Sequence, residues 1–287
     1  MRRERLQPPG RSIRFLFIRG YFLQSGHYLE CRIDCGSTPL LAFWLSMTDV
    51  SLVLSGEEVY LLSERALYWP NASTLVVADL HWGKGSTFQA VGVPTPIGTT
   101  SDDLARLDSA LTRTGARRMV VLGDLFHARA GRIPSHTLAE LRRWRSLSAP
   151  VEILLVRSNH DRHSGDPPND LHINCLNSPA FVPPFVFRHE PHDSTDGYGL
   201  AGHVHPGITL VGRGLQRETL PCFLVGSRGA LIPAFGSFTG LGAVEPGPGD
   251  RAFVVVEGEV LEVPMPVDLE PDAYPTALHE MSPTDRS

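Results

Sequence analysis

Several short stretches of this sequence carry side chains that hold cations and move protons. "VVADLH" places Asp79 and His81 two residues apart at the end of an apolar run, and "AGHVH" does the same for His203 and His205. In an extended chain, residues i and i+2 leave on the same face, so each pair presents two donors in one direction. "VVLGDLFH" delivers Asp124 behind Gly123, with His127 three residues on, and "LLVRSNHD" delivers Asn159, His160 and Asp161. A further imidazole comes from "FRHEPH", where His189 is the first candidate and His192, three residues on, the other. Carboxylate, imidazole and carboxamide in this mixture are too nitrogen-rich for Ca2+ and suit Mn2+, Fe or Zn2+. They exceed what one cation can use and suffice for two. Two cations about 3.5–4 Å apart form the usual clamp for displacement at phosphorus. Asp124, in its glycine-preceded turn, is the candidate for a carboxylate shared between them. D-x-H, G-D and N-H-D are each common alone; their ordered occurrence carries the signal.

The elements that position these groups alternate. "STLVVADLH", "RRMVVLGDLFH" and "VEILLVRSNHD" read as buried strands ending in charge. Ligand crevices of α/β sheets lie at such carboxyl ends, so the three tips are expected to converge. Between them, "TTSDDLARLDSALTRTG" sets Leu104, Leu107 and Leu111 at helical spacing and stops at Gly115, and "SHTLAELRRWRSLS" is a second helix. Its Arg142, Arg143 and Arg145 are expected on a solvated face, not in a nucleic-acid groove. "VSLVLSGEEVYLLSERALYWP" predicts strands joined by tight turns, Ser55-Gly56 the clearest. Beyond Asp193 the helical signal fades into antiparallel strands, and "EPGPGD" is expected as a surface loop. The order β-α-β-α-β followed by mostly β indicates a layered α/β architecture.

Composition is that of an ordinary globular chain, with 42% hydrophobic and 20% charged residues in 287. No apolar run approaches the length of a membrane-spanning helix, so no membrane partner is expected. Cys31, Cys35, Cys175 and Cys222 form no paired framework or metal knuckle, which favours a reducing, cytoplasmic setting. The net charge of −5 gives no support for broad, non-specific nucleic-acid binding. Residues 1–46 carry seven arginines against three acidic residues, a net of +4 that leaves −9 on the remainder. Lacking a period or caps, 1–46 is expected to be an N-terminal extension, disordered or an over-called start. The domain is expected over 47–268, and the Pro-rich, polar 269–287 as a disordered tail.

Taken in order, "DLH", "GD", "NHD", a single histidine and "GHVH" resemble the calcineurin-like metallophosphoesterases, over about Val50 to Val263. That resemblance implies a four-layer α/β/β/α sandwich of two mixed β-sheets flanked by helices. It implies one cation held by Asp79, His81, Asp124 and His205 and a second by Asp124, Asn159, His189 and His203. It also implies that His160, oriented by Asp161, is the acid that meets the leaving oxygen. Lys84 is then a candidate phosphate contact and His127 a candidate support for the ligands, with solvated loop positions as their plainer alternative. More narrowly, "DLHWGKGSTFQAVGVPTP", "GDLFH" and "PAFGSFTG" are similar to the bacterial DNA-ligase-associated phosphoesterases, a DNA-damage-response endonuclease group. This implies a DNA phosphodiester substrate and a functional link to a DNA ligase and helicase. One departure stands out: the usual glycine before N-H-D is Ser158, which fits if its φ is negative. The expected function is a phosphoesterase that uses two divalent ions, Mn2+ foremost, to deliver an activated hydroxide to a phosphodiester. The other readings are a small-molecule phosphatase or nucleotide phosphodiesterase with the same metals, and a non-catalytic partner-binding scaffold. The intact ligand set argues against the last.

Overall fold

Residues 48–264 are described by the computed structural model, apart from 91, 97, 128–132, 148–149, 194 and 212–215. Ahead of them is described only an antiparallel strand pair, β1 (Phe15–Ile18) with β2 (Tyr21–Gln24). The rest of the 1–46 extension and the 269–287 tail lie outside the described residues.

The first sheet begins where side chains alternate. β3 (Val50–Leu54) pairs antiparallel with β4 (Glu57–Leu62) around Ser55 and Gly56, both with positive φ as a two-residue hairpin turn requires. β5 (Ala66–Trp69) and β6 (Thr74–Ala78) continue the antiparallel run. β6, β7 (Arg118–Leu122) and most of β8 (Glu152–Arg157) are covered on both faces, and the pairing becomes parallel from β6 through them to the more exposed edge strand β9 (Ile173–Asn177). Ala78 lies opposite Leu122, which lies opposite Val156. Three chains therefore leave the sheet at neighbouring positions.

The crossovers are helical. α1 (Lys84–Ala90) and α2 (Thr99–Thr114) follow β6, α3 (Ser135–Leu147) follows β7, and α4 (Asn159–Ser164) follows β8. α2 buries Leu104, Leu107 and Leu111, each contributing about 1.5–3 kcal/mol. It ends at left-handed Gly115, whose N–H reaches Leu111 O. Trp144 of α3 is buried and donates to Asp108 of α2 at 2.7 Å. The α3 arginines do not share one solvated face. Arg145 donates to the Leu171 and Val151 carbonyls and clamps the segment beneath α3, Arg142 pairs with Asp170 at the surface, and Arg143 is exposed.

The second sheet runs β10 (Ala180–Val182), β11 (Phe185–Phe187), β12 (Tyr198–Ala201), β15 (Gly229–Leu231), β14 (Arg217–Val225), β13 (Pro206–Val211) and β16 (Gly242–Ala243). β17 (Arg251–Val256) joins β14 and carries β18 (Glu259–Val263). Both sheets are mixed, giving the α/β architecture of two sheets with helices. Val76, Val120 and Val156 of the first face Phe187, Leu200, Phe223 and Phe253 of the second across one apolar layer. α2 and α3 pack on the outer face of the seven-stranded sheet. The apolar cluster on the other side of the nine-stranded sheet, around Cys222, Leu224 and Val254, is built of strand and loop residues. Among the described residues, no helix is long and apolar enough to cross a membrane.

Candidate active site

The tips of β6, β7 and β8 meet the tips of β11 and β12 where the sheets touch, tied by a bridge between Ala78 and Ala234. After β6, β7 and β12 the chain turns sharply. Asp79, His81, Asp124, His203 and His205 all have positive φ, between 46° and 68°, half of the ten non-glycine residues with this property among those described. Left-handed backbone costs of order 1–3 kcal/mol for such residues and concentrates at functional sites. Two glycines make room. A Cβ on Gly123, itself at φ +73°, would stand 2.2 Å from His189 Nδ1, and one on Gly202 would stand 2.6 Å from Asp79 Oδ2.

Seated on these turns, the side chains converge. His81 Nε2 and His205 Nε2 are 3.2 Å apart, and His203 Nδ1 and His189 Nε2 3.0 Å. Asp124 lies between the pairs, one oxygen 3.8 Å from His81 and the other 3.6 Å from His189. Asp79 Oδ1 lies 3.6 Å from His205 and 3.7 Å from His189, so Asp79 is as central as Asp124. Backbone carbonyls orient two rings: His189 Nδ1 bonds Leu122 O at 2.9 Å and His205 Nδ1 bonds Gly240 O at 3.1 Å. That leaves each Nε2 turned inward with its lone pair available. Asp79 Oδ2 accepts from His203 N at 2.8 Å. Asp79 Oδ1 and Asp124 Oδ1 are buried and have no hydrogen-bond partner among the described residues. A buried carboxylate oxygen in that condition is costly, and a cation among facing imidazoles is what would satisfy it.

Protonation at His81, His203 and Asp124 agrees with that chemistry. Burial pushes His81 down to about 4, against the pull of Asp124 and Asp79. Burial likewise lowers His203, with neighbouring His189 adding to the effect. For His205 burial is outweighed by Asp79, and its pKa is raised. Burial opposes ionisation of Asp124, yet nearby His189 and Ser158 hold its pKa below the usual carboxylate value. Neutral His81 beside ionised Asp124 is the state in which such groups bind metal.

The remaining expected residues are placed as follows. Asn159 is half-buried at the head of α4, its Oδ1 accepting from His160 N, and with His189 it lines a cavity of about 170 Å³. His160 is exposed beside it, near enough to act on Asp124. In place of the expected contact with the His160 ring, the Asp161 carboxylate accepts from Asp124 N, Leu125 N, Ser158 N and the Ser158 hydroxyl at 2.8–3.2 Å. It staples the turn after β7 to the turn after β8. Ser158 has φ −76°, as the departure from glycine requires, and its hydroxyl caps α4 in a reciprocal capping box with Asp161. The pattern S-x-x-D in "SNHD" was the available sequence signal for this role. The carbonyls of Leu122 and Gly240 had none. Lys84 is half-buried near Asp124, and burial lowers its pKa. His127 is exposed, its ring 6.2 Å from that of His81. His192 is exposed.

Neither a family model nor a curated protein sequence matches the chain. Solved structures do. The nuclease MPE of Pseudomonas putida aligns at 36% identity and TM-score 0.64, over 75% of this chain and all of its own. The phosphoesterase Yfce of E. coli aligns at 13% identity and TM-score 0.34, over 66% of this chain and 97% of its own, too distant to bear on the argument. Identity at the first level across an entire neighbour, on a fold whose strand tips gather these carboxylates and imidazoles, makes the chain a member of the metallophosphoesterase-like family of phosphoric ester hydrolases.

Proposed function

We propose that this metal-dependent phosphoesterase cleaves phosphodiester bonds of nucleic acid with two divalent cations held by Asp79, His81, Asp124, Asn159, His189, His203 and His205. The observation that carries the reading is the pair of buried, unpartnered oxygens, Asp79 Oδ1 and Asp124 Oδ1, facing inward-turned imidazole nitrogens. The cations, when bound, neutralise charge at the phosphate and acidify the attacking water. Asp79 and Asp124 supply the negative charge that keeps two dications together, and the Leu122 and Gly240 carbonyls hold His189 and His205 in the donor orientation. His160, exposed at the rim, hands a proton to the departing oxygen. Lys84 adds positive potential for an anionic substrate. A 36% identical nuclease supports nucleic acid over smaller diesters. The donor set, with no thiolate, supports Mn2+, and the motif resemblance supports DNA and a cellular setting with a DNA ligase and helicase.

Metal analysis of the purified protein, paired with cleavage of a DNA oligonucleotide before and after chelation, tests this. About two equivalents of metal per chain and cleavage lost on chelation and restored by Mn2+ are expected. Undiminished cleavage after exhaustive chelation removes the proposal.

A further inference from the structure

Three segments far apart in the sequence send one ring each to the same place. Phe88 comes from α1, His127 from the turn after β7, and Phe238 from the "FGSFTG" segment. Phe88 stacks on His127 with centroids 5.5 Å apart and planes at 25°, and meets Phe238 edge-on at 5.9 Å. His127 in turn lies 6.2 Å from the ring of His81. The cluster is thus continuous with the proposed metal ligands. Its exposure separates it from the core: Phe185, Phe223 and Phe253 are sealed between the sheets, whereas Phe88 and Phe238 are half-buried and His127 is exposed. Lys84, four residues before Phe88, acts electrostatically on both His81 and His127. Bracing His127 would require one ring. The second phenylalanine, Phe238, enlarges the partly exposed aromatic surface beyond that need.

We propose that Phe88, His127 and Phe238 form a stacking surface for the nucleobase next to the scissile phosphate, with Lys84 facing the backbone. The proposal rests on the nucleic-acid reading above and adds what that reading lacks, a way to prefer a base-bearing chain over a bare phosphodiester. Aromatic faces beside a positive charge are what single-stranded nucleic acid binds, and they tolerate any base because every base has a π-face.

The test compares a fluorescein-labelled short oligothymidylate with an abasic tetrahydrofuran oligomer of equal length. Binding is read by stopped-flow anisotropy on the metal-loaded protein, before cleavage, and kcat/KM with Mn2+. Stacking of one base predicts tighter binding of the base-bearing oligomer by roughly 5- to 150-fold. In the Phe88→Leu, Phe238→Leu double variant that ratio is expected to fall towards one, while Phe88→Trp keeps it. Thermal midpoints and metal content are measured for each variant. Equal affinity and kcat/KM of the unmodified protein for the two oligomers overturns the stacking surface and leaves the nucleic-acid reading standing. A double variant that weakens both oligomers alike also overturns it, because the rings would then only brace the site. If the unmodified protein hydrolyses bis(4-nitrophenyl) phosphate but cleaves neither oligomer, the nucleic-acid reading falls and the stacking proposal with it.

Discussion

Replacing Asp161 by Asn changes one atom of a side chain whose hydrogen bonds go to backbone N–H groups and the Ser158 hydroxyl. Its Oδ2 accepts from Asp124 N, Ser158 N and Ser158 Oγ, and its Oδ1 from Leu125 N. In the variant the amide oxygen is best placed where three donors converge, which turns the amide nitrogen towards the Leu125 N–H. That buried donor loses its partner, at about 1–3 kcal/mol. The other three bonds lose the charge that roughly doubles their strength, about 0.5–1 kcal/mol each. The sum is roughly 2.5–6 kcal/mol, or about 5–24 °C of thermal midpoint for a domain of this size. Because Asp124 N is one of the donors, the carboxylate of Asp124 should shift as well. Differential scanning fluorimetry, metal analysis and turnover on aryl phosphodiesters of graded leaving-group pKa test this together. A lowered midpoint, reduced metal content and a loss of turnover independent of the leaving group are expected. An unchanged midpoint and full metal content, with loss confined to poor leaving groups, would refute the stapling role and assign Asp161 to His160 instead.

His160→Ala should show that opposite pattern: both metals retained, turnover reduced roughly 10²- to 10⁴-fold on alkyl diesters, and a smaller loss on nitrophenyl esters. A loss equal across leaving groups with full metal would leave His160 only a positioning role. Gly123→Ala places a Cβ 2.2 Å from His189 Nδ1 on backbone at φ +73°. The left-handed backbone alone costs about 1–2 kcal/mol, and metal content should fall because the ring must leave Leu122 O; an alanine variant with normal stability and metal would show that the turn yields freely. Asp250 is buried, one oxygen unpartnered, and burial raises its pKa to about 6 despite the bond from Gly247 N. The fold therefore favours its neutral form, so its charge costs stability above pH 6 and none below the unfolded value near 4. Asp250→Asn should stabilise the protein at pH 7.5 by about 1–3 kcal/mol, an advantage that disappears in melts at pH 4. An advantage that persists at pH 4 would point to a cause other than ionisation.

Where periodicity and burial act together, the fold was legible. Leu104, Leu107 and Leu111 marked the buried stripe of α2, and Gly115 marked its end, because a 3.6-residue repeat and a left-handed cap are local properties. β6, β7 and β8 were legible as apolar runs for a similar reason, since strands covered on both faces need no alternation. The α3 arginines were not. Helical position tells which way Arg145 leaves the helix but not that the Leu171 and Val151 carbonyls lie within its reach. "EPGPGD" was legible as a turn by its glycines and prolines, yet its last residue, Asp250, is buried at the start of β17, which composition does not convey.

The site divides along the same line between local and distant. Asp79, His81, Asp124, His203 and His205 were legible because donors at strand ends, with glycine beside them, form patterns within a few residues. What holds them was legible only where it too was local. The Ser158 and Asp161 capping box is spelled S-x-x-D, but its further bonds to Asp124 N and Leu125 N span more than thirty residues and two strands. The same box explains why serine can stand where the motif resemblance implies glycine. Glycine would offer the turn conformational freedom, whereas Ser158 fixes it at negative φ and spends its hydroxyl on Asp161. The departure in sequence thus trades flexibility of the N-H-D turn for a hydrogen bond to Asp161, whose carboxylate in turn accepts from the backbone N–H of Asp124, the residue that lies between the two histidine pairs.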